Sequence, residues 1–388
     1  MDYPTMKVET AFVEDSGVED RWESRGNIVV DEVELDEPKV NEVRVDIKAA
    51  GVCHSDWHVA TGDLGCDHFP CALGHEGAGV VESVGEGVTH VEPGDHVTLS
   101  WIPSCGRCEP CASGNQHLCV RGRFIERGTM LDNTFRMHRD DTDVGQILLL
   151  GCYSEAVVVP ADSVVKIPDD VPFEIAGLTG CCVATGFGAA VNRANIEPGD
   201  TVVHFGFGGV GANAVLGSVN QGAGQIVVVD PIEQKRRWAE QFGATHTVDP
   251  DDEHPADVVE SITGGLGAEV AIFTGSLGTP EALGEAYSTL RNRGQLISVA
   301  SNNVEMDHID FPLRNGGVNQ FTFGEKEVRG TVYGGWSPRL AISHLLGLYQ
   351  DGYLPLDDLI TARYDLDGIN DAFNDMLEGN NIRGVVEF

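Results

Sequence analysis

The sequence predicts an α/β protein in two parts: a β-rich domain, interrupted by an open, mostly parallel sheet of about six strands wound with helices. Three observations carry this. Residues 7–13, 28–35 and 43–47 read as strands, the last with clean alternation of apolar and polar positions, and turn formers separate the runs. From Thr201 the texture becomes strand and helix in alternation, with Gly206-Phe207-Gly208-Gly209-Val210-Gly211 between the first such strand and a helix of small residues. From roughly Gly335 onward the last segment, ending in Asn381-Ile382-Arg383-Gly384-Val385-Val386, is expected to return to the first domain. The boundaries expected are 1–185 with 334–388 for the β-rich domain and 186–333 for the parallel sheet, a division that 388 residues accommodate.

Composition narrows the partners. The net charge is −36, from 25 basic and 61 acidic residues, and Lys is scarce. Such a chain repels nucleic acid and anionic membranes, so neither is expected as a partner. The acidic residues are spread along the chain and not gathered in a tail, which reads as a solvated carboxylate surface suited to a salt-rich cytoplasm. An acidic enzyme of an ordinary cytoplasm is the plainer alternative. No apolar run is long enough to span a bilayer, and Met1-Asp2-Tyr3-Pro4-Thr5-Met6 lacks the regions of a signal peptide, so the expected location is cytoplasmic. Ten Cys in that setting point to metal ligation before disulfides.

The first strands lead into Gly51-Val52-Cys53-His54-Ser55-Asp56-Trp57-His58, which offers a thiol, two imidazoles, a hydroxyl and a carboxylate. His75 and Glu76 follow, and Cys181 lies far along the chain. Two thiolates and one imidazole make a three-ligand catalytic zinc with a fourth position left for water or substrate. Asp56, read as lying in a loop, is placed to orient a ligating imidazole such as His75. The glycines of Gly77-Ala78-Gly79 allow backbone to pack closely behind His75.

Cys105, Cys108, Cys111 and Cys119 are separated by two, two and seven residues, a spacing that wraps a tetrahedral ion with every position filled. A structural zinc is expected. An iron–sulfur cluster would use the same thiols but has no redox partner nearby. Cys66, Cys71 and Cys152 follow no such pattern and read as buried or partly buried free thiols. Residues 148–151 and 156–159 then resume the β pattern.

In the second part, the strand from Thr201 runs into the glycine motif, and Asp230 ends the next strand nineteen positions after Gly211. That context makes the motif a dinucleotide site, with pyrophosphate at the helix start and Asp230 accepting from the adenosine ribose. The same carboxylate repels a 2′-phosphate, so NAD is favoured over NADP. Further strands at residues 270–273 and 295–299 alternate with helical stretches around Val258 and Leu283.

Together these residues resemble the zinc-dependent medium-chain alcohol dehydrogenases over essentially the whole chain, most closely a nicotinoprotein-like branch near class III. The resemblance implies a GroES-like catalytic domain interrupted by a Rossmann domain, NAD, and two zinc ions per chain, one catalytic and one structural. It matches Cys53, His75 and Cys181 to the catalytic ligands, Glu76 to the carboxylate behind the metal, and Asp56 to the partner of the ligating His. Ser55 and His58 correspond to the two ends of a proton relay. His54 and Arg383 fall on the pyrophosphate, Asp230 and Lys235 on the adenosine ribose, and Val210 and Val299 among the cofactor contacts. Leu64, Trp101, Leu149, Leu150 and Val332 surround the substrate, where the bulk of Trp101 favours small unbranched alcohols. The resemblance further implies reversible oxidation of primary alcohols to aldehydes. The long loop between Cys119 and Gly151 is that of the dimeric branch. Oxidation of a thiol adduct of formaldehyde, a nicotinoprotein that keeps its NAD and uses another acceptor, and a zinc-stabilised protein without chemistry are the alternatives. His58 suits the alcohol branch better than the thiol branch. Cys182, where a Gly normally follows the third ligand, puts a spare thiol beside the metal.

Overall fold

The computed structural model describes residues 5–15, 28–302 and 318–388. Met1 to Pro4, part of the leader reading above, lie outside the described residues. The chain forms two compact units, residues 1–182 with 336–388, and residues 183–335.

In the first unit, strands Met6–Val13, Ile28–Leu35, Met137–Arg139, Thr142–Gln146 and Cys71–Ala72 close into a small barrel. Beside it runs a sheet in the order Val164–Lys166, His96–Leu99, Glu76–Val84, Glu42–Gly51, Arg383–Glu387 and Ile360–Tyr364, with Ala156–Pro160 also on Glu42–Gly51. Phe12, Leu35, Ile47, Leu73, Leu99, Tyr153 and Phe373 fill the core. The segment 383–387 pairs antiparallel with Glu42–Gly51, so the end of the sequence is a central strand of this unit.

Strand Glu42–Gly51 is more buried than its alternation predicts, because it has neighbours along both edges. Its charged Arg44 is accommodated by carboxylates: Nε donates to Glu82 at 2.5 Å and Nη1 to Glu37 at 2.8 Å. The run 148–150, expected as strand, is a turn instead. Ile147–Leu149 is a single 3-10 turn, with Leu148 and Leu149 at positive φ and Gly151 at φ +66° completing the reversal. Gln146 Nε2 donates to Leu150 O at 2.8 Å and holds the turn closed, so its leucines enter the core without a ladder.

The second unit is a sheet of six described strands, every adjacent pair parallel, in the order His246–Val248, Gln225–Val229, Thr201–Phe205, Ala268–Phe273, Leu290–Ser298 and Glu327–Gly330. Counted along the chain this is the doubly wound order 3-2-1-4-5-6, which places a crevice between the first and fourth strands at their carboxyl ends. Successive residues serve opposite faces. Val203, Phe205, Ala271 and Phe273 enter one core, while Val202, Val270 and Ile272 enter the other.

Among the described residues no single helix is long and apolar enough to cross a membrane.

Candidate active site

Cys53 has extended backbone and opens helix His54–Ala60. The stretch read as a loop is therefore helical from His54, and Ser55 and His58, three residues apart, share one face. His75 and Glu76 stand at the start of strand Glu76–Val84, and Cys181 follows helix Phe173–Thr179. That helix can approach because Gly177 lacks a side chain: a Cβ there would lie 2.5 Å from Glu76 O.

The ligand atoms of Cys53, His75, Glu76 and Cys181 all lie within 4.8 Å of one another, and all four residues are buried. Asp56 holds the imidazole. Its Oδ1 is 3.1 Å from His75 Nδ1 and accepts from Gly74 N at 2.8 Å. Its Oδ2 lies 3.1 Å from the Tyr153 hydroxyl, which also reaches Gly51 O at 3.0 Å. With Nδ1 facing a carboxylate, Nε2 is left for a metal. Burial would push the His75 pKa down, but Asp56 and Cys53 outweigh it and raise it well above the ordinary imidazole range. The neighbouring Cys181 thiol pushes Cys53 down against burial, and Arg383 and His75 add to this, while the same contact and burial push Cys181 up, so of the two sulfurs Cys53 is the one favoured as thiolate. Burial pushes Glu76 up to about 7 against the opposing charge of Arg383.

Arg383, expected at the pyrophosphate, also has a partner within its own unit. It is buried and ion-paired with Glu76, with Nε 3.2 Å from Oε2 and Nη2 closer still to Oε1. A carboxylate buried this deeply needs a charge partner, and strand Arg383–Glu387 supplies it.

Cys105, Cys108, Cys111 and Cys119 form the second group of ligand atoms within 4.8 Å. Bonds of about 2.3 Å to a tetrahedral zinc place sulfurs about 3.8 Å apart. Cys108 and Cys119 Sγ are 3.8 Å apart. Backbone N–H groups of Val120 and Cys111 push the Cys108 thiol down to about 6. Both donor sets fit zinc.

Residues 39–169 match the family model of the alcohol dehydrogenase GroES-like domain, and residues 209–348 that of the zinc-binding dehydrogenases. An NDMA-dependent alcohol dehydrogenase of Amycolatopsis methanolica is 42% identical over 92% of this chain and 94% of its own length. Alcohol dehydrogenase B of Mycobacterium tuberculosis is 41% identical over 95% of this chain and 96% of its own. The crystal structure of benzyl alcohol dehydrogenase from Acinetobacter calcoaceticus superposes with a TM-score of 0.88, at 28% identity, over 99% of each chain. This chain belongs to the zinc-dependent medium-chain alcohol dehydrogenases. Its two units are accordingly a GroES-like domain and a Rossmann domain.

In the Rossmann unit of this dehydrogenase, Gly206 turns at φ +90° after the first strand, and helix Gly209–Asn220 follows. A Cβ at Gly211 would lie 2.2 Å from Gly206 O, so helix and strand could not approach otherwise, whereas one at Gly208 would meet nothing within 4 Å. Asp230 is buried, and its Oδ2 accepts from Phe207 N at 2.8 Å and its Oδ1 from Ile232 N at 2.9 Å. The carboxylate that ends the second strand thus clamps the glycine turn, and each oxygen keeps a further lone pair. Lys235 lies half-buried on helix Glu233–Gln241, Val210 half-buried on the helix after the glycine turn, and Val299 just past strand Leu290–Ser298. Val332 is exposed in this unit.

In the GroES-like unit, Leu64 and Trp101 are half-buried against the core, and Leu149 and Leu150 are buried. Ser55 Oγ is 3.8 Å from Cys53 Sγ, and the His54 ring lies 6.1 Å from that of His58. His58, expected as the solvent end of the relay, is itself buried. Helix His54–Ala60 turns its last residues inward.

Two features have no clear mark in the sequence. Tyr153, which anchors Asp56, carries no spacing signal, since 97 residues separate the pair. Cys66 and Cys71 are free thiols with Sγ atoms 3.2 Å apart, although nothing in their spacing pairs them.

Proposed function

We propose that this dehydrogenase reversibly oxidises small primary alcohols to aldehydes, using NAD and two zinc ions per chain. The observation that carries the reading is the buried cluster of Cys53, His75, Glu76 and Cys181, with Asp56 turned onto His75. Cys53, His75 and Cys181 hold the catalytic ion, and Cys105, Cys108, Cys111 and Cys119 the structural one. The catalytic zinc supplies Lewis acidity toward the alcohol oxygen, and NAD supplies the hydride acceptor. Ser55 takes up the hydroxyl proton and His58 receives it further out, as their shared helix face supports.

Residues 183–335 bind NAD through the turn at Gly206, Gly208, Gly209 and Gly211, with Val210 and Val299 beside the cofactor and Asp230 and Lys235 at the adenosine ribose. The remaining unit carries the chemistry, with His54 near the pyrophosphate and Arg383 neutralising Glu76. Leu64, Trp101, Leu149, Leu150 and Val332 border the substrate. The two cysteine-bearing donor sets support a reducing cytoplasm, and the charge of −36 supports a high-salt one. The assembly is a homodimer, which light scattering in high salt tests.

The deciding experiment is turnover on a series of short primary, branched and secondary alcohols with NAD, together with zinc analysis. Two zincs and turnover of small primary alcohols are expected; no turnover of any alcohol overturns the reading. The 42% identity to an NDMA-dependent alcohol dehydrogenase favours a second form in which NAD stays bound and another acceptor reoxidises it. Reduced-nicotinamide absorbance that survives desalting after addition of alcohol separates that form from the first.

A further inference from the structure

Helix His54–Ala60 ends in a tight reversal. Thr61 N donates to Trp57 O at 2.9 Å, and Gly62 N donates to Val59 O at 3.2 Å. Leu64 N then reaches back to His58 O at 2.9 Å. Gly62 sits at φ +74°, a conformation that costs a residue with a Cβ far more than glycine. The reversal brings Asp63 against the last turn of the helix, beside His58.

Both side chains are 6% exposed, and Asp63 Oδ2 lies 3.8 Å from His58 Nδ1. Thr61 Oγ1 donates to the same oxygen at 2.7 Å and so fixes the carboxylate in that place. The Nδ1–Oδ2 distance is an ion-pair distance and longer than a hydrogen bond, so the effect of the carboxylate on the ring is electrostatic. A buried negative charge facing Nδ1 favours the N–H dipole at that atom over a lone pair, and favours the imidazolium over the neutral ring. The His54 ring on the same helix is 6.1 Å away and opposes this when protonated.

We propose that Asp63 is a positioning residue of the proton relay: it holds His58 in the Nδ1–H tautomer, leaves Nε2 to take the proton, and stabilises the imidazolium while the proton is held. The proton enters at Nε2 from the Ser55 side of the relay and leaves from Nε2 to water, and the Nδ1 proton stays in place. The inference rests on the reading of His58 as the outer group of the relay.

The test uses the full-length holoenzyme and the variants Asp63→Asn, Asp63→Glu, His58→Gln and the double variant. Asp63→Asn should lower turnover by about tenfold to a hundredfold, by analogy with carboxylates that orient metal-bound imidazoles, with little change in alcohol KM. Asp63→Glu, which keeps the charge, should restore part of the loss. In the His58→Gln background Asp63→Asn should cost nothing more; an equal cost there means a structural role and overturns the proposal. Nitrogen-15 NMR should show the Nδ1–H tautomer of His58 in the parent enzyme and a shift toward a mixture in Asp63→Asn. A parent Nε2–H tautomer overturns the proposal even if Asp63→Asn fails to fold. Full turnover in His58→Gln would sink the relay itself, whereas impaired His58→Gln with normal Asp63→Asn would sink only the part given to Asp63.

Discussion

The two thiol-bearing clusters of the GroES-like unit are assembled in opposite ways. Cys105 and Cys119, the outer members of the four-thiol cluster, are 14 residues apart, and two of its four residues are half-buried. Cys53, His75, Glu76 and Cys181 come from a helix start, a strand start and a helix end, and all are buried. A local loop can wrap an ion with little help from the fold. The dispersed cluster exists only once the sheet, the helix Phe173–Thr179 and the strand Arg383–Glu387 are docked. What the second arrangement gains is a dry site in which His75 is held by Asp56 and Glu76 by Arg383, and in which charge effects are stronger than at the surface.

The largest test of this contrast is loss of a dispersed ligand. Cys181→Ser should abolish turnover and reduce zinc from two per chain to one, while circular dichroism stays close to that of the parent. Retention of both ions would remove Cys181 from the ligand set and turn attention to Cys182. Next, Ser55→Ala should lower turnover by about two to four orders of magnitude, the range for positioned acid–base groups, with both ions kept. Near-normal turnover would take Ser55 out of the proton path. Third, Asp56→Asn should weaken metal affinity or activity by about tenfold to a hundredfold, read by chelator competition and by turnover. An unchanged affinity and rate would mean that Tyr153 and Gly74 alone hold the region. The smallest effect on activity should come from Cys111→Ser in the local cluster. It should lower the melting temperature and release one zinc, with turnover per folded molecule largely kept. Loss of activity without loss of stability would break the division between a chemical and a structural cluster.

The same contrast governs what the amino-acid order alone reveals. Cys105 to Cys119 and Gly206 to Asp230 are legible because spacing and periodicity are local properties, and the parallel pairing of the second sheet follows from its alternation with helices. The helix His54–Ala60 reads as loop along the sequence because it is seven residues long, lacks a side-chain cap at Cys53 and shows no apolar stripe. Leu148 to Leu150 mimic a strand because apolar runs look alike whether they enter a ladder or a buried turn, and only the positive φ values separate them. Tyr153 beneath Asp56 and Arg383 against Glu76 depend on tertiary pairing across 97 and 307 residues, which no pattern along the chain encodes.

The pairing of Arg383 with Glu76 also bears on how the enzyme is made. During synthesis Glu76 leaves the ribosome 307 residues before its guanidinium partner. Until strand Arg383–Glu387 docks against Glu42–Gly51, the Glu76 carboxylate lacks its guanidinium partner and water or a proton must satisfy it. The catalytic pocket therefore matures after translation of this segment, whereas the Cys105 to Cys119 loop can load metal while the chain is still growing.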